Sequence, residues 1–199
     1  DKQMPPSSFF SSGTETPTLL DKASLSYPKE MFKWHYRSQH PGLIQFSNHQ
    51  FYEDELLTFP SNSSSFPVEF RKVDGIFNEG SNLIEAKEIT AYVSAKSDLK
   101  NLGIVAFSKE QEKTITNALL DLKIDITDLM IRNLENVQGI ERDEIIISVG
   151  YAKTTEGIFR MNFGPVNQES GPNRLNVLFS RAKKKMTVFS SITAADFKL

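Results

Sequence analysis

The chain contains no cysteine, which excludes disulfides and thiolate-bound metal centres. No apolar run reaches the roughly 20 residues that span a bilayer, and no signal-peptide pattern opens the sequence. The expectation is a cytoplasmic protein without membrane contact. No charge of one sign dominates: 23 Lys and Arg against 25 Asp and Glu leave −2. Net charge therefore does not mark the body for nucleic acid, although a basic groove can sit on a near-neutral surface. Histidine is scarce: His35, His40 and His49 share one segment and lack a third-ligand spacing for zinc, so no metal site is expected. A Gly-x-x-x-x-Gly-Lys-Ser/Thr loop is also absent, so nothing in this sequence cradles a β-phosphate.

What remains is 199 residues with an ordinary 39 % hydrophobic content, enough for one domain with an appended segment. Residues 1–26 are rich in Ser, Thr, Pro and Phe with little periodicity, and read as a mobile connector with one short helix near Leu19 to Ser24. The abrupt start at Asp1 reads as a cut from something larger. The folded domain is expected over 27–199. Pro41 opens a helix to Tyr52, and Val68, Phe70 and Val73 mark a half-exposed strand. Leu83, Ala86, Ile89 and Val93 predict a helix from about Asn82 to Ser97. Gly103 to Phe107 reads as a buried parallel strand. Ser108 with Gln111 forms a capping-box pattern that starts a helix carried by Ile115, Leu119 and Leu122. Strands follow at Ile131 to Leu134 and Glu144 to Val149. A last helix is lined by Leu175, Leu178 and Ala182, and a last strand runs from Met186 to Ser190.

This alternation is the α/β order: a mostly parallel sheet with helices on both faces. Ligands on such sheets are expected beyond the carboxyl ends of the strands, and the polar motifs are read as following strands. Three motifs stand out. Arg174, Val177 and Arg181 share a helical face; guanidiniums suit phosphate oxygens, and equally a solvated surface. Gln138-Gly139-Ile140-Glu141 reads either as a close backbone approach to a ligand with a carboxylate for ribose hydroxyls or as a charged turn. Tyr36 to Pro41 reads as a turn before a helix.

These residues carry a family resemblance. RLNVLFSRAKKKM resembles motif VI of superfamily 1 helicases, VQGIERDEIIIS resembles motif V, and YRSQHP with the trailing LIQFSNHQFY resembles motif IV of the nonsense-mediated-decay (1B) subgroup. DKQMPPSS resembles the tail of motif III without its Gly-Asp. The stretch NFGPVNQESGPNRLNV is similar to a bacterial branch found in large multidomain proteins. The resemblance implies a RecA-like three-layer sandwich, the second lobe of an ATP-dependent helicase or translocase. It implies Arg181 as arginine finger, with Ser180 where threonine is common, and Arg37 as a second cation on the triphosphate. Glu141 would contact the ribose, Gln138 and Gly139 would form the loop linking the ATP site to the nucleic-acid groove, and Gln3 would sense the γ-phosphate. Ser108 and Gln111 match an element gripping a strand phosphate, with Asn136 nearby, although helix capping accounts for the first two. The implied cofactor is ATP with Mg2+, held mainly by a first lobe of the same polypeptide. The implied partner is a single-stranded nucleic acid, with no obligate oligomer. The lobe alone is expected to be inactive.

Two other readings stay open. One is a RecA-like scaffold without motor activity. The other is a magnesium-dependent nuclease using Asp74, Glu85 and Lys87, which needs Glu85 and Lys87 on a strand. The long segment from Tyr151 to Pro172 is read as functional or disordered, with Phe163 either stacking on a base or packing the loop down. Lys183 to Lys185 read as a solvated helix end or a phosphate patch.

Overall fold

The structure, a computed structural model, describes residues 19–197 apart from 29 and 64; Gln3 lies outside the described residues. The elements in order are α1 (Leu19–Ser24), β1 (Trp34–His35), a 3-10 turn (Pro41–Leu43), α2 (Gln45–Phe51) and β2 (Leu57–Thr58). Then come β3 (Val68–Lys72), α3 (Leu83–Ser94), β4 (Leu102–Ala106), α4 (Lys109–Asp121), β5 (Met130–Asn133) and β6 (Arg142–Ser148). Last are α5 (Gly171–Phe179) and β7 (Ala182–Ser190), with short 3-10 turns at Leu134–Asn136, Gly164–Asn167 and Ala194–Asp196.

Five strands form one wholly parallel sheet in the order β3-β7-β6-β4-β5. Its faces follow from the two-residue period of a strand. Ile104 and Ala106 of β4, Ile146 of β6 and Phe189 of β7 face α3 and α4, where Ala86, Ile89, Val93, Ile115 and Leu119 meet them. Val105, Ile145, Ile147 and Met186 face the other way, against Leu178 of α5, Leu43 and Leu134. The result is the expected α/β three-layer sandwich.

Capping residues set the helix starts. The Asn82 side chain accepts from Glu85 N at 3.0 Å and Ser108 Oγ accepts from Gln111 N at 3.1 Å, each satisfying an orphan amide of a first turn. The expected capping box is only half made, because the Gln111 side chain turns into the core instead of back to its own cap. The helix expected from Pro41 to Tyr52 is split: His40 Nδ1 accepts from Gly42 N, which tightens the first turn to 3-10 before α2 begins at Gln45.

The largest departure is at the end of the chain. The last helix stops at Phe179, and Lys183 to Lys185 belong to β7, not to a helix end. Cross-strand carboxylates neutralise this run: Lys184 pairs with Asp143 at 2.7 Å and Lys185 with Glu69 at 2.9 Å. The segment from Tyr151 to Ser170 is ordered by aromatic contacts. Phe163 packs against Tyr151, Phe159 and Phe197, so it holds the loop down. Arg174, on α5, fastens that loop to the helix by donating to Pro165 O and Gln168 Oε1. Gly171 starts α5 where a Cβ would lie 1.9 Å from the Val166 carbonyl oxygen. That neighbour is backbone and cannot rotate away, so Gly171→Ala is expected to cost about 1–3 kcal/mol through overpacking. Chemical denaturation checks this, and an unchanged midpoint refutes it.

Candidate functional site

Two groups of polar residues sit at opposite ends of the parallel strands. The first lies at the amino-terminal ends of β6 and β7, because Glu141 immediately precedes β6 and Arg181 immediately precedes β7. This corrects the expectation of carboxyl ends: both strands begin earlier than their apolar residues indicate, so these motifs lead into strands instead of leaving them. Gly139, at φ +78°, takes the left-handed conformation that glycine adopts at no steric cost, within the turn that leads to Glu141. Arg142 N donates to Arg181 O, which locks Glu141 and Arg181 side by side.

The segment 36–40 is tied to the start of β7. Gln39 N donates to Lys183 O at 2.8 Å, and Ser38 Oγ to Ala182 O at 3.3 Å. His35 Nε2 accepts from Ser38 N. Burial, then the Arg37 charge, lowers the His35 pKa, which suits a neutral ring accepting through Nε2. Anchored this way, Arg37 reaches Glu141, its Nε lying 2.9 Å from Oε2, while Nη1 donates to Ser180 O at 3.4 Å.

Glu141 is gripped from two sides. Lys183 Nζ lies 2.7 Å from Oε1, opposite Arg37 on Oε2. Lys183 first and Arg37 second lower the Glu141 pKa, so the carboxylate stays ionised. The Arg181 guanidinium donates to Val177 O at 2.8 Å, to Ile140 O at 3.3 Å and to Ser180 Oγ at 3.4 Å. Burial lowers its pKa most, then repulsion from Arg37, against attraction from Glu141. Three cations thus surround one carboxylate, an excess of positive charge that suits a polyphosphate and does not suit Mg2+. Among the described residues, no group of three His, Cys, Asp or Glu side chains could hold a metal ion. Sequence reasoning placed Lys183 on a helix and missed it; its only signal was its place two residues after Arg181. Gln138 and Gly139 are exposed on the adjoining turn.

The second group lies at the carboxyl ends of β4, β5 and β6. A cleft of about 530 Å³ is lined by Phe107, Ser108, Lys109, Asn133, Tyr151 and Arg160, among others. Ser108 caps α4 and also donates to Gly80 O. Asn136 is exposed on the turn after β5 and donates to Asn133 Oδ1. Gln111 does not reach this surface. It is wholly buried, accepting from Asn82 N and donating to Asn82 O and Ser148 Oγ. Ser148 Oγ in turn donates to Glu85 Oε1 at 2.6 Å, which also accepts from Gly150 N at 2.8 Å. Burial pushes the Glu85 pKa up to about 7 despite these bonds.

Glu85 lies on helix α3 and is buried, whereas Lys87 and Asp74 are exposed, Asp74 pairing with Lys72. The strand-borne arrangement a nuclease of that type requires is therefore not present. Asp143 is paired with Lys184, and Glu144 with Lys96 and the Tyr92 hydroxyl.

A family model described as an AAA domain (AAA_12) matches residues 67–193. Two curated relatives, each named as an uncharacterized ATP-dependent helicase, come from Mycoplasma pneumoniae and Mycoplasma genitalium. Both are 32 % identical over 187 residues, and each match covers 84 % of this chain and 16 % of the relative. The chain thus spans 16 % of the length of the curated relatives it matches. A solved structure, the C-terminal domain of a possible DNA helicase from Lactobacillus plantarum WCFS1, aligns with a TM-score of 0.48 at 14 % identity, covering 78 % of this chain and 86 % of that one. Among the described residues no helix is long and apolar enough to cross a membrane.

Proposed function

This chain belongs to the AAA domain family AAA_12, and on that footing we propose that residues 27–199 form the second RecA-like lobe of a superfamily 1 helicase or translocase of the nonsense-mediated-decay type. Residues 1–26 form the connector to it. The carrying observation is the meeting of Arg37, Glu141 and Arg181 on one rim, although Arg37 lies 104 positions before Glu141. ATP, bound between this lobe and the first lobe of the same polypeptide, supplies the phosphoryl group transferred to water. Arg181 and Arg37 stabilise the negative charge that spreads over the phosphate oxygens during transfer. Glu141 accepts hydrogen bonds from the ribose hydroxyls. The residues that hold Mg2+ and the P-loop belong to the first lobe. Gln3 senses the γ-phosphate.

The single-stranded nucleic acid lies along the opposite rim, over Ser108, Lys109 and Asn136, with the half-buried Phe107 offering a ring edge to a base, while the buried Asn133 and Tyr151 brace the cleft from behind. Gln111 supports that rim from beneath. Gln138 and Gly139 start the connection between the two rims through β6. Opening and closing of the two lobes around each nucleotide moves the strand.

The test is hydrolysis. The complete polypeptide is expected to hydrolyse ATP faster with single-stranded nucleic acid present, and the 199-residue chain alone to hydrolyse none above background. Stimulated hydrolysis by the isolated chain overturns the two-lobe reading. Nucleotide-independent nucleic-acid binding by the complete polypeptide, without hydrolysis, favours a scaffold.

A further inference from the structure

We propose that Lys183 is the positioning residue for Glu141: a fixed counter-ion that keeps this carboxylate aimed at the ribose after Arg37 has turned to the phosphates. The inference rests on the nucleotide reading of this rim. Both oxygens of Glu141 are occupied, Oε2 by Arg37 Nε at 2.9 Å and Oε1 by Lys183 Nζ at 2.7 Å. The two cations differ in how they are held. Lys183 is the second residue of β7, and its carbonyl accepts from Gln39 N at 2.8 Å. It stands where the β6–β7 register shifts, between the Arg142–Ala182 and Glu144–Lys185 pairs, so the ladder holds the strand on both sides of it. Arg37 lies between the two-residue strand β1 and the turn at Pro41, and beyond Glu141 its bond is a long one to Ser180 O at 3.4 Å.

A triphosphate offers Arg37 several oxygens in the bidentate geometry its fork prefers, so Arg37 is the partner that leaves. Glu141 then keeps one cation. A carboxylate has about four lone-pair sites, so Oε1 on Lys183 leaves Oε2 open for ribose hydroxyls. Without Lys183 the carboxylate is free to follow Arg37 toward the phosphates or to swing into solvent. Lys183 thus acts through Glu141 and need not touch the nucleotide.

The test uses the complete polypeptide with ATP, 2′-deoxy-ATP and 3′-deoxy-ATP. Wild type is expected to favour ATP over at least one deoxy analogue by about tenfold in KM, the worth of a hydrogen bond to a charged group. Lys183→Met is expected to raise KM for ATP about tenfold, to lower kcat less than threefold, and to bring the deoxy/ATP ratio near one. Lys183→Arg restores the ratio. If Lys183→Met keeps the wild-type ratio while Glu141→Gln loses it, the proposal is overturned and the ribose role of Glu141 survives. If wild type shows no discrimination, both fall, and loss of turnover in Arg181→Ala then still supports the lobe assignment. Circular dichroism of each variant identifies a folding defect, which lowers apparent kcat and leaves KM unchanged; a natively folded Lys183→Met that raises KM for all three nucleotides alike overturns the positioning role.

Discussion

Replacing Arg181 by alanine is expected to lower the ATP turnover of the complete polypeptide by about 10³-fold or more, the range of arginine fingers. The reason lies in how the side chain is prepared. Its Nε and Nη1 are held by the Val177 and Ile140 carbonyls, so the guanidinium is oriented before any phosphate arrives, and little reorganisation accompanies charge development. Lysine cannot replace it, since one ammonium cannot both accept that anchoring and present a planar fork; Arg181→Lys is expected to recover little. Nucleic-acid affinity without nucleotide is expected to be retained, because Ser108, Lys109 and Asn136 lie at the other ends of the strands. Steady-state hydrolysis at saturating ATP measures the effect. A loss of only a few-fold demotes Arg181 to a structural cap of α5.

The second large effect is on stability and runs through Glu85. Its folded-state pKa of about 7 lies above the usual carboxylate value. Between about pH 4.5 and 7 the native state therefore binds more protons than the unfolded state, and stability falls as pH rises through that window. A shift of this size corresponds to roughly 3 kcal/mol lost by pH 8. His35 works in the opposite sense: its pKa is lowered, so its contribution grows as pH rises toward its unfolded value. Asp196 and Glu156, each lowered to about 2, lose their contributions only in stronger acid. The clean comparison is thus wild type against Glu85→Gln, in which His35 is common to both. The variant is expected to gain about 3 kcal/mol relative to wild type between pH 5 and 8, measured by urea denaturation. A pH-independent difference would show that Glu85 does not titrate in that window.

The sequence was legible where one physical signal sufficed. Continuous apolar runs located β4 and β6, and Asn82 and Ser108 located the starts of α3 and α4. It misled where partners lie far along the chain. Lys183 to Lys185 look solvated until Asp143 of β6 and Glu69 of β3 are known to flank them, and a linear reading does not contain that register. Gln111 looked like half of a capping box, and only the buried edge of Asn82 and Ser148 explains why it turns inward. Arg37, Glu141 and Arg181 were readable as a set from their motifs. Which rim of the sheet they occupy was not, because the polar residues Arg142 and Asp143, and Lys183 to Lys185, hid the true beginnings of β6 and β7.

The order of the sheet bears on how this protein is made. Val68 of β3 finds its partner in Met186 of β7, and β7 is also what joins β3 to β6. At roughly 5–20 residues per second of synthesis, β3 leaves the ribosome several seconds or more before the strand that pairs with it exists. Until then β6, β4 and β5 can assemble as a half-sheet, with the nascent β3 and its exposed Phe70 available to chaperones or to neighbouring chains. A ribosome that stalls ahead of residue 182 would release a polypeptide whose sheet lacks its linking strand.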